Sequence, residues 1–208
     1  MKDRKRIPRQ KRAIETKMHI VETAIGLFSE KGYYNTSSNE ISRRAGVAIG
    51  SFYSYFHDKK QLFLEALDYY DRRIREGMET DLSVEAAGRE KTVQAFINNT
   101  IQAHKIFPGF HLEVEAMRIL EPDISAAFHE KETREIRHLR ELLEMWKHEV
   151  QVKDLETASI ILYHIVEKTV HIVLFSKPEE VEEKKLIREL SAMILRYLFS
   201  AGPPNHAG

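Results

Sequence analysis

Apolar residues recur every three or four positions along nearly the whole chain, and no segment alternates with period two. That pattern commits the chain to helices packed on helices, because only a 3.6-residue period puts such residues on one stripe. From Ala13 to Lys31 the stripe is Ile14, Met18, Val21, Ile25 and Phe28. Gly32 suits the position just past this helix, and Lys31 suits the negative end of its dipole. Ser37 and Glu40 have capping-box spacing for a short second helix carrying Ile41 and Ala45, which Gly46 stops. A third short helix is expected from Ala48 to Tyr55, with Phe52 and Phe56 turned inward. Asp58 is placed to cap a fourth, carrying Leu62, Phe63, Ala66, Leu67 and Tyr70.

Residues 80–90 hold few large apolar side chains and read as a loop. Helical pattern resumes from Lys91 to His104. Pro108-Gly109 breaks the chain before a helix ending at Leu120, and Pro122 suits the first turn of a long helix from Asp123 to Val150, with Ile136, Leu139, Leu143 and Trp146 as its stripe. Two apolar helices follow, Asp154–Phe175 and Glu179–Phe199. The expected fold is all-α, with about nine helices.

Composition narrows the function. With 208 residues, 42% of them hydrophobic, the chain can bury one good core, or one core and a small satellite. Cysteine is absent, which excludes a disulfide scaffold, thiolate metal sites and a cysteine nucleophile, and fits a reducing compartment. The most apolar run, Thr157 to Phe175, is interrupted by His164, Glu167, Lys168 and His171, so no membrane span is expected. The basic N-terminus is not followed by an apolar core within 30 residues, so secretion is not expected either. There is no Gly-rich phosphate loop, no Gly-x-Ser-x-Gly elbow and no His-Glu-x-x-His; neither an enzyme nor a cofactor is expected.

The chain is neutral as a whole but polarised along its length. Residues 1–60 carry 13 Lys/Arg against 6 Asp/Glu, and the remainder 19 against 26. A basic head on an acidic body suits a head that meets a polyanion. Seven of the first twelve residues are Lys or Arg. Either this is a solvated flexible tail, or Arg6, Arg9, Lys11 and Arg12 track phosphates or enter a minor groove.

Residues 36–56 are the most informative. Two short helices meet at an Ala-Gly-Val turn, the spacing of a helix-turn-helix whose second helix enters the major groove. Gly46 permits the reversal. Ile41, Ala45, Val47, Phe52 and Phe56 can fix the interhelical angle, and Ala48, Gly50 and Ser51 are small enough for close approach to base edges.

The stretch TSSNEISRRAGVAIGSFYSYFHDKKQLF resembles the tetracycline-repressor (TetR) family of bacterial regulators. The likeness rests on Thr36-Ser37, Ile41, Ala45-Gly46-Val47, Gly50, Tyr53, Tyr55-Phe56, Lys59 and Leu62, together with Ala24, Leu27-Phe28 and Gly32-Tyr33 before them. It covers about residues 15–67. Ser42 and Ala48 stand where the family often has Ala and Ser, so one polar DNA contact at position 48 is lost.

The resemblance implies a site. Thr36 and Ser37 would face a phosphate at a helix N-terminus. Asn39 would project toward the groove. Ala48 and Ile49 offer no donor or acceptor, so readout there would be apolar, against thymine methyls. Ser51, Tyr53 and Tyr55 would donate hydroxyls to phosphate or an adjacent base, and Lys59 would pair with a phosphate. Arg43 and Arg44 read as a solvated face.

It also implies a homodimer through the last two helices on a pseudo-palindromic double-stranded operator, with a small-molecule effector that releases it. Effector candidates are Phe96, Thr100, His104, Phe107, Phe110, His111, Val114, Met117, Trp146, His164 and Glu167, all of which are equally compatible with ordinary helical core. Glu167 could meet a cationic effector. Metal ligation by His111 with Glu115, or by His164, Glu167 and His171, is the weaker reading, and no metal is expected. The expected organisation is a basic arm over 1–12, a reading head over 13–57, a regulatory and dimerisation domain over 58–199, and a disordered tail over 200–208. Such a regulator belongs in the bacterial cytoplasm, with the nucleoid when bound. The alternative is a nucleoid protein that binds DNA without sequence preference.

Overall fold

The computed structural model describes residues 9–78, 88–176 and 182–199. Among these, nine α-helices form and no strand does. They are α1 (Arg9–Lys31), α2 (Ser38–Arg44), α3 (Ile49–Tyr55), α4 (Lys59–Met78), α5 (Arg89–His104), α6 (Pro108–Leu120), α7 (Pro122–Met145), α8 (Leu155–His171) and α9 (Glu183–Leu198), with a π-helical turn, Ile172–Ser176, continuing α8.

Local chemistry sets most of the boundaries. Gly32 has φ +81 and donates its N–H to the Phe28 carbonyl at 2.9 Å, ending α1. The Ser37 hydroxyl oxygen caps α2 by accepting the Glu40 N–H at 3.2 Å. The other half of the expected capping box is missing: the Glu40 carboxylate pairs with the Lys31 ammonium instead. That pair holds the Glu40 carboxyl below its usual range. Asp58 accepts the Gln61 N–H at 2.7 Å and starts α4. Asp154 accepts both the Thr157 N–H, at 3.0 Å, and its hydroxyl, at 2.7 Å, and starts α8.

Some ends differ from expectation. α1 begins at Arg9, so Arg9 to Arg12 are helix rather than flexible arm. Residues 1–8 (with Arg6), most of the expected loop over 80–90, residues 177–181 and the tail over 200–208 lie outside the described residues. α7 stops at Met145 because the Trp146 and Lys147 N–H groups bond three residues back, to Leu143 and Glu144, in a tightened turn.

The chain divides into two compact units, residues 1–74 with 106–128, and residues 75–105 with 129–208. The first unit therefore holds more than the head expected over 13–57: α6 belongs to it. Its core is aromatic. Phe28 and Phe63 rings lie 5.3 Å apart, Phe63 and Phe110 5.3 Å, and Tyr70 meets Phe110 edge-on at 5.8 Å. α6 crosses α1 closely enough that a Cβ on Gly109 would stand 2.8 Å from the Ser29 Cβ. In the second unit, Val93, Ile97 and Ile101 of α5 pack with Leu162, Val166 and Val170 of α8 and Leu190, Ile194 and Leu198 of α9. That buried stripe makes α8 a core helix.

Candidate nucleic-acid interface

The reading head is built around a small sealed core. Ile41 of α2 and Phe52 and Phe56 at α3 are fully buried, and Ala45 nearly so. The turn between the helices is closed by Gly46, with φ +64, and by the Val47 N–H donating to the Ser42 carbonyl at 3.0 Å. A β-carbon at that φ would strain the turn, which is why glycine stands there. The Phe52 and Phe56 rings lie 5.6 Å apart on the buried side of α3.

What α3 leaves outside is the candidate reading face. Ala48, Ile49, Gly50, Tyr53 and Ser54 are exposed on it. Ile49 keeps 39% of its surface and Tyr53 56%, although one edge of the Tyr53 ring rests on Phe52 at 5.2 Å. The first turn presents methyl and methylene groups only, followed one turn later by a phenol. This order suits thymine methyls in a groove flanked by a sugar–phosphate rail. Ser51 and Tyr55 are half-buried, on the flanks of the helix, and Ser37 and Asn39 are exposed on α2.

Two residues of the expected site already have partners within the protein. Thr36 is only 2% exposed, its hydroxyl donates to the Gly32 carbonyl at 2.8 Å, and its N–H donates to the Tyr33 carbonyl. It frames the α1–α2 turn. The Lys59 ammonium donates to the carbonyls of Tyr33, at 2.6 Å, and Thr36, at 2.7 Å, and sits 4.1 Å from the centre of the Tyr33 ring. Burial pulls this ammonium below the usual lysine value, against the opposing pull of the Glu113 carboxylate. With both carbonyls taken by one cation, Lys59 fastens the turn.

Arg44 pairs with Glu30 at 3.1 Å, whereas Arg43 is exposed and has no ion pair among the described residues. Glu113 of α6 accepts the Tyr33 N–H at 2.5 Å and so grips the same turn from the other side. No spacing in the sequence marks Glu113, because its partner lies eighty residues away.

The effector candidates fall into two groups. Phe110, His111, Val114 and Met117 are buried in the first unit, where His111 Nδ1 lies 3.2 Å from the Tyr70 hydroxyl and Phe107 packs on the Tyr69 and Tyr70 rings. Phe96, Thr100, His104, Trp146, His164 and Glu167 belong to the second unit. There, His104 Nδ1 lies 2.8 Å from the Thr100 carbonyl oxygen and Nε2 3.1 Å from a Glu167 carboxylate oxygen. Both ring nitrogens face acceptors, so both must carry hydrogen while Glu167 is ionised. Burial opposes the charge on His104, but the Glu167 hydrogen bond and charge, with the Thr100 carbonyl, outweigh it and raise the histidine above its ordinary value. Glu167 thus has one hydrogen-bond partner in His104 on a neighbouring helix. His164 lies 3.7 Å from Glu132, and Trp146 stacks on Phe199 at 5.5 Å. His111 and Glu115 turn to different partners, Tyr70 and Arg118, and among the described residues no three His, Asp or Glu side chains form a metal-binding group.

Known proteins share this arrangement. The family model for bacterial regulatory proteins of the tetR family matches residues 20–66, and the model for the tetracyclin repressor-like C-terminal domain matches residues 90–198. The HTH-type transcriptional regulator AcrR of Shigella flexneri is 42% identical over 64 residues, covering 31% of this chain and 30% of that protein. The chain thus spans less than a third of the length of this curated relative. Among solved structures, a TetR-family transcriptional regulator from Mesorhizobium loti superposes with a TM-score of 0.73 at 21% identity, over 90% of this chain and 98% of that one. A transcriptional regulator from Saccharomonospora viridis, solved in complex with choline, does so with a TM-score of 0.73 at 17% identity, over 89% and 98%.

Proposed function

This chain belongs to the TetR family of bacterial regulatory proteins, and on that premise we propose that it represses transcription as a homodimer seated on a pseudo-palindromic operator and released by a small molecule. It is a helix-turn-helix transcriptional regulator and not an enzyme. The observation that carries the operator reading is the exposed face of α3, where Ala48, Ile49, Gly50, Tyr53 and Ser54 stay open while Phe52 on the other side of the helix is fully buried. Ser37, Asn39, Ser51 and Tyr55 are the further contacts proposed, and access to DNA places the protein in the bacterial cytoplasm.

The dimer is supported by a second observation. Ile160 and Ile161 of α8 and Met193 of α9 are 42%, 38% and 41% exposed, while the opposite faces of the same helices form the core. Two copies pairing these faces would bury them. The effector reading is centred on Phe96, Thr100, His104 and Glu167, where buried polar groups meet in the second unit.

Selection of bound sequences from a random duplex pool tests the reading. The expected product is an inverted repeat with half-site centres about 34–36 Å apart, or a multiple of that. Enrichment of no sequence would favour a non-specific DNA-binding protein, and a monomer by sedimentation at micromolar concentration would sink the dimer.

A further inference from the structure

We propose that Arg43 anchors the reading head on DNA by pairing with a backbone phosphate, a role that rests on the DNA-binding reading above. A protein grips a duplex by neutralising phosphates with Lys and Arg. Between residues 13 and 66 the chain has six such side chains, Lys17, Lys31, Arg43, Arg44, Lys59 and Lys60. Five of them have partners within the protein. Lys17 pairs with Glu65 at 2.8 Å, Lys31 with Glu40, and Arg44 with Glu30 at 3.1 Å. Lys60 reaches Asp123 at 2.8 Å and Glu121 at 3.1 Å. Lys59 is bound to the Tyr33 and Thr36 carbonyls. Arg43 is exposed, and among the described residues its side chain has neither an ion pair nor a hydrogen bond. Its charge is felt at the Glu40 carboxylate, but that carboxylate is bonded to Lys31.

Packing decides which side of α2 carries it. Ile41 and Ser42, with Ala45 just past the helix, are buried. The exposed remainder has two edges, because residues four apart on a helix lie one above the other. Glu40 and Arg44 form the edge beside α1, where Lys31 and Glu30 meet them. Asn39 and Arg43 form the other, and both are exposed.

The Arg43 carbonyl accepts the Gly46 N–H at 3.2 Å, which puts Arg43 at the turn into α3, whose exposed face opens with Ala48 and Ile49. α3 itself, IGSFYSY, has no charged side chain and supplies none of the neutralisation. In a helix-turn-helix the helix before the reader crosses the backbone of the duplex. A guanidinium at the end of that helix presents a planar fork that matches two phosphate oxygens. A basic residue there also suits the negative end of the helix dipole, but that role by itself would leave the salt dependence of DNA binding unaltered.

The test is the salt dependence of binding to a mixed-sequence synthetic duplex, read by fluorescence anisotropy, for the full chain and three variants. Arg43→Gln should flatten the log–log slope by about 0.9 per bound copy of the chain. Arg43→Lys, which keeps the charge, and Arg44→Gln, which removes a side chain already tied to Glu30, should both keep the wild-type slope. All three substitutions lie on the exposed side of α2, so melting temperatures close to wild type are expected, and circular dichroism verifies each fold. Selection from a random duplex pool should return the same sequence for Arg43→Gln as for wild type, because a phosphate contact carries no sequence information. An unchanged slope in Arg43→Gln, or equal flattening in Arg43→Lys or Arg44→Gln, would overturn the proposal. Loss of one base position from the selected sequence would assign Arg43 to a base edge and overturn it too. Each of these outcomes leaves the DNA-binding reading standing, whereas a wild-type chain that binds no duplex would overturn both.

Discussion

Lys59 lies over the ring of Tyr33 at 4.1 Å and donates to that residue's own carbonyl at 2.6 Å, so a cation at the start of α4 holds the turn that leads into α2. A lysine that fastens backbone and a lysine that meets phosphate make opposite predictions. Replacing Lys59 by Gln should lower the stability of the folded chain by about 1–3 kcal/mol, the range for hydrogen bonds to a charged donor. The dependence of operator affinity on salt should keep its slope. A slope flattened by about 0.9, the signature of one lost phosphate contact, would restore the phosphate role.

Tyr53 behaves differently. It is exposed and rests only one edge on Phe52, so Tyr53→Ala should leave the melting temperature within a degree or two. Duplex affinity should fall by roughly tenfold, corresponding to about 1.4 kcal/mol. Unchanged affinity by fluorescence anisotropy would remove the phenol from the interface.

Gly109 tests how tightly α6 is tied to α1. Its Cβ would lie 2.8 Å from the Ser29 Cβ and 3.1 Å from the Ser29 carbonyl oxygen. Gly109→Ala should cost about 1–3 kcal/mol through overpacking, despite the better helix propensity of alanine. Ser29→Gly in the same chain should return part of that loss. A neutral or stabilising Gly109→Ala by urea denaturation would show that the crossing has room.

The His104–Glu167 pair predicts a pH dependence. The folded-state value of His104 is raised above its ordinary 6.5. Its stabilisation is therefore complete below the unfolded value and is lost as pH rises through the folded one. His104→Gln keeps a side-chain amide but cannot carry the charge. Wild type should exceed this variant by about 1–2 kcal/mol at pH 5.5, a figure held down because Glu167 is one-third exposed. The gap should narrow above pH 7; a gap independent of pH would mean that His104 is neutral throughout.

The head was legible because its determinants are local. Ser37, Gly46 and Asp58 each act within three or four residues of themselves, through a cap or a positive φ, and the aromatic pair Phe52 and Phe56 sits on one turn. The site was less legible. Thr36 and Lys59 carry the right chemistry for phosphate, and nothing in their neighbourhood along the chain reveals that the Gly32, Tyr33 and Thr36 carbonyls claim them first. The effector candidates look alike as one-dimensional stripes, yet Phe110 and Val114 seal an aromatic core while His104 and Glu167 pair elsewhere.

Periodicity and caps thus decided, from the sequence alone, that the chain is helical and that two short helices meet at Gly46. Those terms depend on dihedral preferences and neighbours a turn away, which the order of residues states directly. Tertiary structure alone decided that Glu113 reaches back to the Tyr33 N–H, that His104 finds Glu167, and that Ser191 is left without a partner. Each depends on which faces of distant helices meet, set in the first unit by close packing around Gly109 and the Phe28–Phe63–Phe110 rings and in the second by the core of Ile97, Leu162, Val166 and Ile194, where volume rather than sequence spacing selects the neighbour.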